Sequence, residues 1–172
     1  NLNQLKLRVV FYNLQVALIN KYFKGLGFMF LNEIYNYKIL ELIMNNKCDL
    51  SNLLLTKLDD NLFNFSNLIE LNLCENKLSY INEDIKNLTN LKTLNLSDNI
   101  LIELPKTIGD LTNVENLFLS GNNLKKLPKN IVNLKNLKWL SLLDNKDLIL
   151  EEEQKKWIQS LQNNGCKVFL EK

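Results

Sequence analysis

Three cysteines, Cys48, Cys74 and Cys166, are the strongest nucleophiles in this chain of 172 residues, and the chain contains no histidine. That absence removes the commonest general base and the commonest zinc ligand together. No base near Cys74 can be named, and nothing in its surroundings points to a lowered thiol pKa. The odd cysteine count and the wide spacing give neither a metal site nor a paired framework, and they fit a reduced, cytoplasmic setting. Glu151, Glu152 and Glu153 form an acidic triplet, but adjacent side chains diverge around a helix instead of converging on an ion. The 5 glycines are scattered, so no phosphate-cradling loop exists. The sequence therefore predicts no catalytic residue, no metal and no cofactor; its chemistry is that of recognition.

The elements that would position a recognition surface repeat every 23 residues: LIELNLCENKLSYINEDIKNLTN, LKTLNLSDNILIELPKTIGDLTN, then VENLFLSGNNLKKLPKNIVNLKN. Leu71, Leu94, Leu117 and Leu140 fall in register, as do Leu73, Leu96, Leu119 and Leu142, with Asn76, Asn99, Asn122 and Asn145 three residues behind. A fixed period of this length means a stack of units, each too small to bury its apolar face alone. Alternation at Leu71-Asn72-Leu73 predicts a strand with the leucines inward and Glu70, Asn72 and Cys74 outward. Each ladder asparagine can satisfy backbone groups of its own turn and of the neighbouring repeat. Ile85 and Leu88, spaced by three, predict a short helical or 3₁₀ segment. Pro105 and Pro128 fix φ where that segment begins in two of the repeats. The stretch from Cys48 to Asn67 is an earlier, degenerate repeat, in which Cys48 takes a leucine place and Leu53 the place of the ladder asparagine.

This pattern, LxxLxLxxNxL followed by LPxxIxxLxN, resembles the leucine-rich repeat. The resemblance implies an α/β solenoid, with a short curved parallel sheet on the concave side and short helices or 3₁₀ turns on the convex side. The forms LPKTIGDL and LPKNIVNL most resemble the intracellular Ras-group members of that family. They imply a cytoplasmic signalling or assembly adaptor that binds protein. Messenger-RNA deadenylases carry a similar short array beside a nuclease domain, so a recognition domain or structural subunit of a larger enzyme or complex is the alternative.

The predicted organisation is one domain: an N-terminal helical cap over 1–44, about five repeats over 45–150, and a C-terminal cap over 151–172. Apolar residues from Leu7 to Leu18 and from Phe28 to Leu42 recur at helical spacing, separated by Gly25-Leu26-Gly27. These two helices would cover the open edge of the first repeat or bind a partner. Polar residues break both runs short of the roughly 20 apolar residues that a membrane span needs. At the other end, Trp157, Ile158 and Leu161 form the apolar face of a helix that stops at Asn164-Gly165. Lys167 to Leu170 then reads as a closing strand, with Cys166 assigned to it. Hydrophobic residues at 46%, charged residues at 23% and a net charge of +2 describe an ordinary soluble domain.

Repeat phasing also yields the residues that face solvent from the strands. The candidate protein-binding set is Glu70, Asn72, Lys92, Asn95, Asp98, Glu115, Phe118, Lys138, Trp139, Ser141, Leu143 and Asp144. Most positions are small or polar. Phe118, Trp139 and Leu143 break that rule and should form one apolar patch rimmed by Glu115, Lys138 and Asp144, which is the composition of a protein-binding hot spot. Trp139 could instead pack on the C-terminal cap. The face carries Asp49, Glu70, Glu75, Asp98, Glu115 and Asp144 against Lys47, Lys92 and Lys138, the wrong sign for nucleic acid. Lys125, Lys126 and Lys129 cluster elsewhere, as a solvated edge.

Overall fold

The structure, a computed structural model, describes residues 46–171; the two expected N-terminal helices lie outside the described residues. Six strands form one sheet in chain order: β1 Lys47–Asp49, β2 Glu70–Asn72, β3 Thr93–Asn95, β4 Asn116–Phe118, β5 Trp139–Ser141 and β6 Lys167–Phe169. Every neighbouring pair is parallel, and the register advances by one full repeat from β1 to β5, so that Cys48, Leu71, Leu94, Leu117 and Leu140 stand side by side. Strands β1 to β5 each bury their central residue and turn the two flanking residues outward, while Val168 at the centre of β6 is half-buried. The strands are shorter than the alternation suggests. Leu73 and its equivalents lie just past the ladder, where Leu73 N–H still donates to Asn95 O at 2.8 Å.

Short 3₁₀ turns at Asp60–Asn64, Glu83–Asn87, Lys106–Asp110 and Lys129–Asn133 stack on the opposite side. Asn82, Pro105 and Pro128 occupy the same place before three of them, all with φ near −60° and extended ψ. Proline supplies that φ covalently. Asn82 instead uses its Oδ1 to accept Asp84 N–H at 2.9 Å. Ile85, Ile108 and Ile131 plug the turns into a leucine core that runs unbroken through the stack. Gly109 is required by close approach, since a Cβ there would collide with the backbone of Asn130 in the next turn.

The ladder asparagines do what their buried position demands. Asn99 Oδ1 accepts Leu78 N–H at 3.0 Å, while its Nδ2 donates to the carbonyls of Leu73, Leu96 and Ser97. Asn76, Asn122 and Asn145 repeat the same arrangement. Leu53, in the ladder place of the first repeat, is buried and gives its N–H to Asn76 Oδ1. A second ladder, unassigned in the sequence reading, runs along the other edge. Asn90, Asn113 and Asn136 each donate to a carbonyl one repeat earlier, at Ser66, Thr89 and Thr112. The first column meets the requirement that backbone groups buried between stacked units find partners, while the second joins successive repeats along an exposed edge.

A helix over Glu152–Asn163 closes the stack, burying Gln154, Trp157, Ile158 and Leu161. Gln154 Nε2 and Trp157 Nε1 donate to the carbonyls of Leu127 and Leu134, tying the helix to the last full repeat. Glu152 and Glu153 lie in its first turn, where the helix dipole favours carboxylates. Gly165, at φ +85°, ends the helix in the left-handed region. Cys166 sits one residue before β6, not within it, because the strand begins only after the chain leaves that turn; its side chain is buried.

Candidate functional site

The outward strand positions form two rows. One runs Lys47, Glu70, Thr93, Asn116, Trp139 and Lys167; the other runs Asp49, Asn72, Asn95, Phe118, Ser141 and Phe169. In the second row the first three residues are committed locally. Asp49, Asn72 and Asn95 each accept the N–H two residues ahead, at Ser51, Cys74 and Ser97. These side chains close the exit from their own strands, a role the reading of Asn72 and Asn95 as binding residues did not include. Ser141 Oγ shares a short hydrogen bond with Ser120 Oγ.

From Phe118 onward the row changes character. The Phe118 and Trp139 rings lie 6.2 Å apart, tilted by 46°, and Trp139 stacks on Phe169 at 4.9 Å and 25°. Lys167 Nζ sits 5.2 Å from the Trp139 ring centroid. Both alternatives raised for Trp139 thus describe its position: it packs on the closing strand and also joins Phe118 across the face. Phe169 is exposed, while Phe118 and Trp139 are half-buried. Leu143, exposed, leaves the same strand two residues beyond Ser141. Phe169 and Lys167 were missed as site residues. Period-2 alternation in the closing strand was a usable signal, but its register against β5 was not, since 28 residues separate Leu140 from Val168 where the repeat takes 23.

Charge on this face is sorted along the strands. Before the strands, Glu115 receives Lys138 at 2.6 Å and Lys92 at 3.5 Å, two ammonium groups on one carboxylate. The Lys138 hydrogen bond, with help from Lys92, holds the Glu115 carboxyl below its ordinary pKa. Glu70 pairs with Lys47 at 2.6 Å. Beyond the strands stands a column of left-handed residues: Asn52, Glu75, Asp98, Gly121 and Asp144, all with φ between 54° and 66°. Each of the first four donates its N–H to a carbonyl of the following repeat. At Asp144 no such repeat follows, and the Glu171 carboxylate takes the carbonyl's place, accepting the N–H at 3.2 Å. Gly121 leaves a notch in this column, over which the Asp98 carboxylate leans.

Cys74 opens on the same face, and burial together with Glu75, Asp98 and Asp49 pushes its thiol pKa up. Negative neighbours oppose the thiolate, so the environment disfavours nucleophilic use. Lys126 and Lys129, with Lys106, Glu103 and Glu151, line a cavity of about 450 Å³ floored by Leu104, Leu127 and Pro128; none of these residues belongs to a strand. Among the described residues no helix is long and apolar enough to cross a membrane.

The sequence profile of the leucine-rich repeat region matches residues 47–163. The structure is similar to a leucine-rich repeat protein of Leptospira interrogans, at 36% identity and a TM-score of 0.58, covering 67% of this chain and 28% of that one. It is also similar to an internalin of Listeria monocytogenes, at 26% identity and a TM-score of 0.51, covering 66% of this chain and 32% of that one. The leucine-rich repeat ectodomain of a receptor kinase from Arabidopsis thaliana shares the fold, at 24% identity and a TM-score of 0.53, over 65% of this chain and 60% of that one. This chain therefore spans less than two thirds of the length of each. No curated protein sequence matches it.

Proposed function

We propose, from the premise that this chain belongs to the leucine-rich repeat family, that it is a non-catalytic binding module gripping a protein partner through its strand face. The family's open sheet is in general a scaffold for protein–protein contact. The observation that carries the proposal is the run of rings Phe118–Trp139–Phe169, with exposed Leu143 beyond it, on a face whose other outward strand positions are polar or charged. A solvated sheet has no need of three ring side chains side by side. Large rings with a charged rim are what a desolvated contact uses, because they bury much area at small entropic cost. An open sheet of this kind offers no enclosed volume in which reacting groups could converge away from water.

The test replaces Phe118 and Trp139 by alanine together and captures partners from native cell extract. Loss of capture by the doublet is expected, with an unchanged circular dichroism spectrum and a urea midpoint lowered by no more than the lost ring contacts account for. Undiminished capture by a folded doublet would remove the strand face from the binding site.

A further inference from the structure

The aromatic row lies between two rims of opposite charge, and the sorting is sharp. On the side where strands begin, Lys92 and Lys138 share the single Glu115 carboxylate, and Lys167 stands over Trp139. That rim carries an excess of positive charge. On the side where strands end, Asp98 and Asp144 flank the side-chain-free Gly121, with Glu171 held to Asp144. Neither Asp98 nor Asp144 forms an ion pair among the described residues, while the basic rim's own acid is fully engaged. The left-handed backbone fixes where both aspartates emerge, so their charges are preorganised and their fields add over the notch.

We infer that this surface takes an extended protein segment of mixed charge, laid along the strand direction. A basic side chain meets the Asp98 carboxylate, which lies over Gly121, and the Asp144 carboxylate beyond it; apolar or aromatic side chains rest on the ring platform, and an acidic side chain meets Lys138 and Lys167. Six residues separate Lys138 from Asp144 along the chain, a reach of at most about 20 Å, which matches a partner segment of about six residues. A uniformly basic segment would meet Lys92, Lys138 and Lys167 as like charges, and a uniformly acidic one would meet the aspartates. Electrostatic complementarity therefore selects both composition and direction. This inference rests on the proposed strand-face reading, and its test separates the two.

Selection of a phage-displayed random 12-residue peptide library on the full chain supplies the probes, which are then synthesised with a fluorescent label. The expected winners place a basic residue and an acidic residue on opposite sides of an aromatic or aliphatic pair. The Asp98→Asn and Asp144→Asn doublet keeps a residue type that tolerates left-handed backbone. It should weaken those peptides about tenfold at low salt and flatten their salt dependence. The Lys138→Gln and Lys167→Gln doublet should act likewise on peptides that retain their acidic residue, and not on versions with that residue neutralised. Binders lost in the Phe118→Ala and Trp139→Ala doublet but indifferent to both charge doublets overturn the inference and leave strand-face binding standing. Winners of one charge sign also overturn it. A selection yielding no binder sensitive to the aromatic doublet overturns both.

Discussion

Trp139 of the last repeat stacks on Phe169 of the closing strand with centroids 4.9 Å apart and planes 25° from parallel. The contact joins the repeat array to its C-terminal cap through the same ring that faces the proposed partner. A double-mutant cycle with Trp139→Ala and Phe169→Ala should give a stability coupling of about 0.5–1.5 kcal/mol. Phe169→Ala alone should also weaken partner capture, since the platform loses its outer ring. Additive single effects in urea melts would show that the stack contributes no pairwise energy.

Asn99→Ala should be among the costliest substitutions of a non-hydrophobic residue. It leaves the buried Leu78 N–H without its acceptor and takes one of two donors from the carbonyls of Leu73, Leu96 and Ser97, which keep Asn76 Nδ2, Asn122 Nδ2 and the Glu75 N–H. One unsatisfied buried group costs about 1–3 kcal/mol, and a loss in that range is expected in denaturant melts. Asn95→Ala, at a half-buried strand position whose oxygen serves only the Ser97 N–H, should cost under about 1 kcal/mol.

The left-handed column makes opposite forecasts at two of its positions. Glu75 holds φ 54° with a side chain that disfavours it, so Glu75→Gly should stabilise by about 0.5–1 kcal/mol. Gly121→Ala should destabilise, both through φ 66° and because the Asp98 carboxylate occupies the space a Cβ needs. Pairing it with Asp98→Ala should recover part of the loss, and full additivity would remove Asp98 from the explanation.

Glu83 crosses to the next repeat, where its carboxylate accepts Lys106 N–H at 3.0 Å and Thr107 N–H at 2.9 Å. Partial desolvation pushes the Glu83 carboxyl up, but the hydrogen bonds from Thr107 and Lys106 outweigh it and its pKa falls below the ordinary value. A group depressed in the folded state stabilises fully above its unfolded pKa and stops doing so as pH drops through the folded one. The stability advantage over Glu83→Gln should thus be constant near neutral pH and shrink as pH falls below the ordinary carboxylate range. A gap that widens on acidification would contradict the assignment.

Where the 23-residue period holds, position in the sequence was position in space. Leu71, Leu94, Leu117 and Leu140 share a row because every repeat returns the chain to the same place one strand over. The Phe118–Trp139 pair was legible for that reason alone, and so was the ladder at Asn76, Asn99, Asn122 and Asn145. Legibility stopped where the period stops. The helix over Glu152–Asn163 intervenes before β6, so the pairing of Lys167 with Trp139 depends on packing and not on counting. Interactions between long polar side chains and a neighbouring repeat's backbone, as at Glu83, were hidden for another cause. The residues at that place differ between repeats, Glu83 being followed by Lys106 and Lys129, and a column without a shared type gives no signal.

Site-specific photo-crosslinking tests most directly whether partners dock on the strand face. A benzophenone amino acid is placed at Phe118, and in a second protein at Ile149, which is 76% exposed and lies off the strands. Both proteins are irradiated in native extract. A protein adduct from position 118 that is absent from position 149, and that disappears when Trp139 is also alanine, is the result expected here. Adducts from 149 with none from 118 would contradict the account.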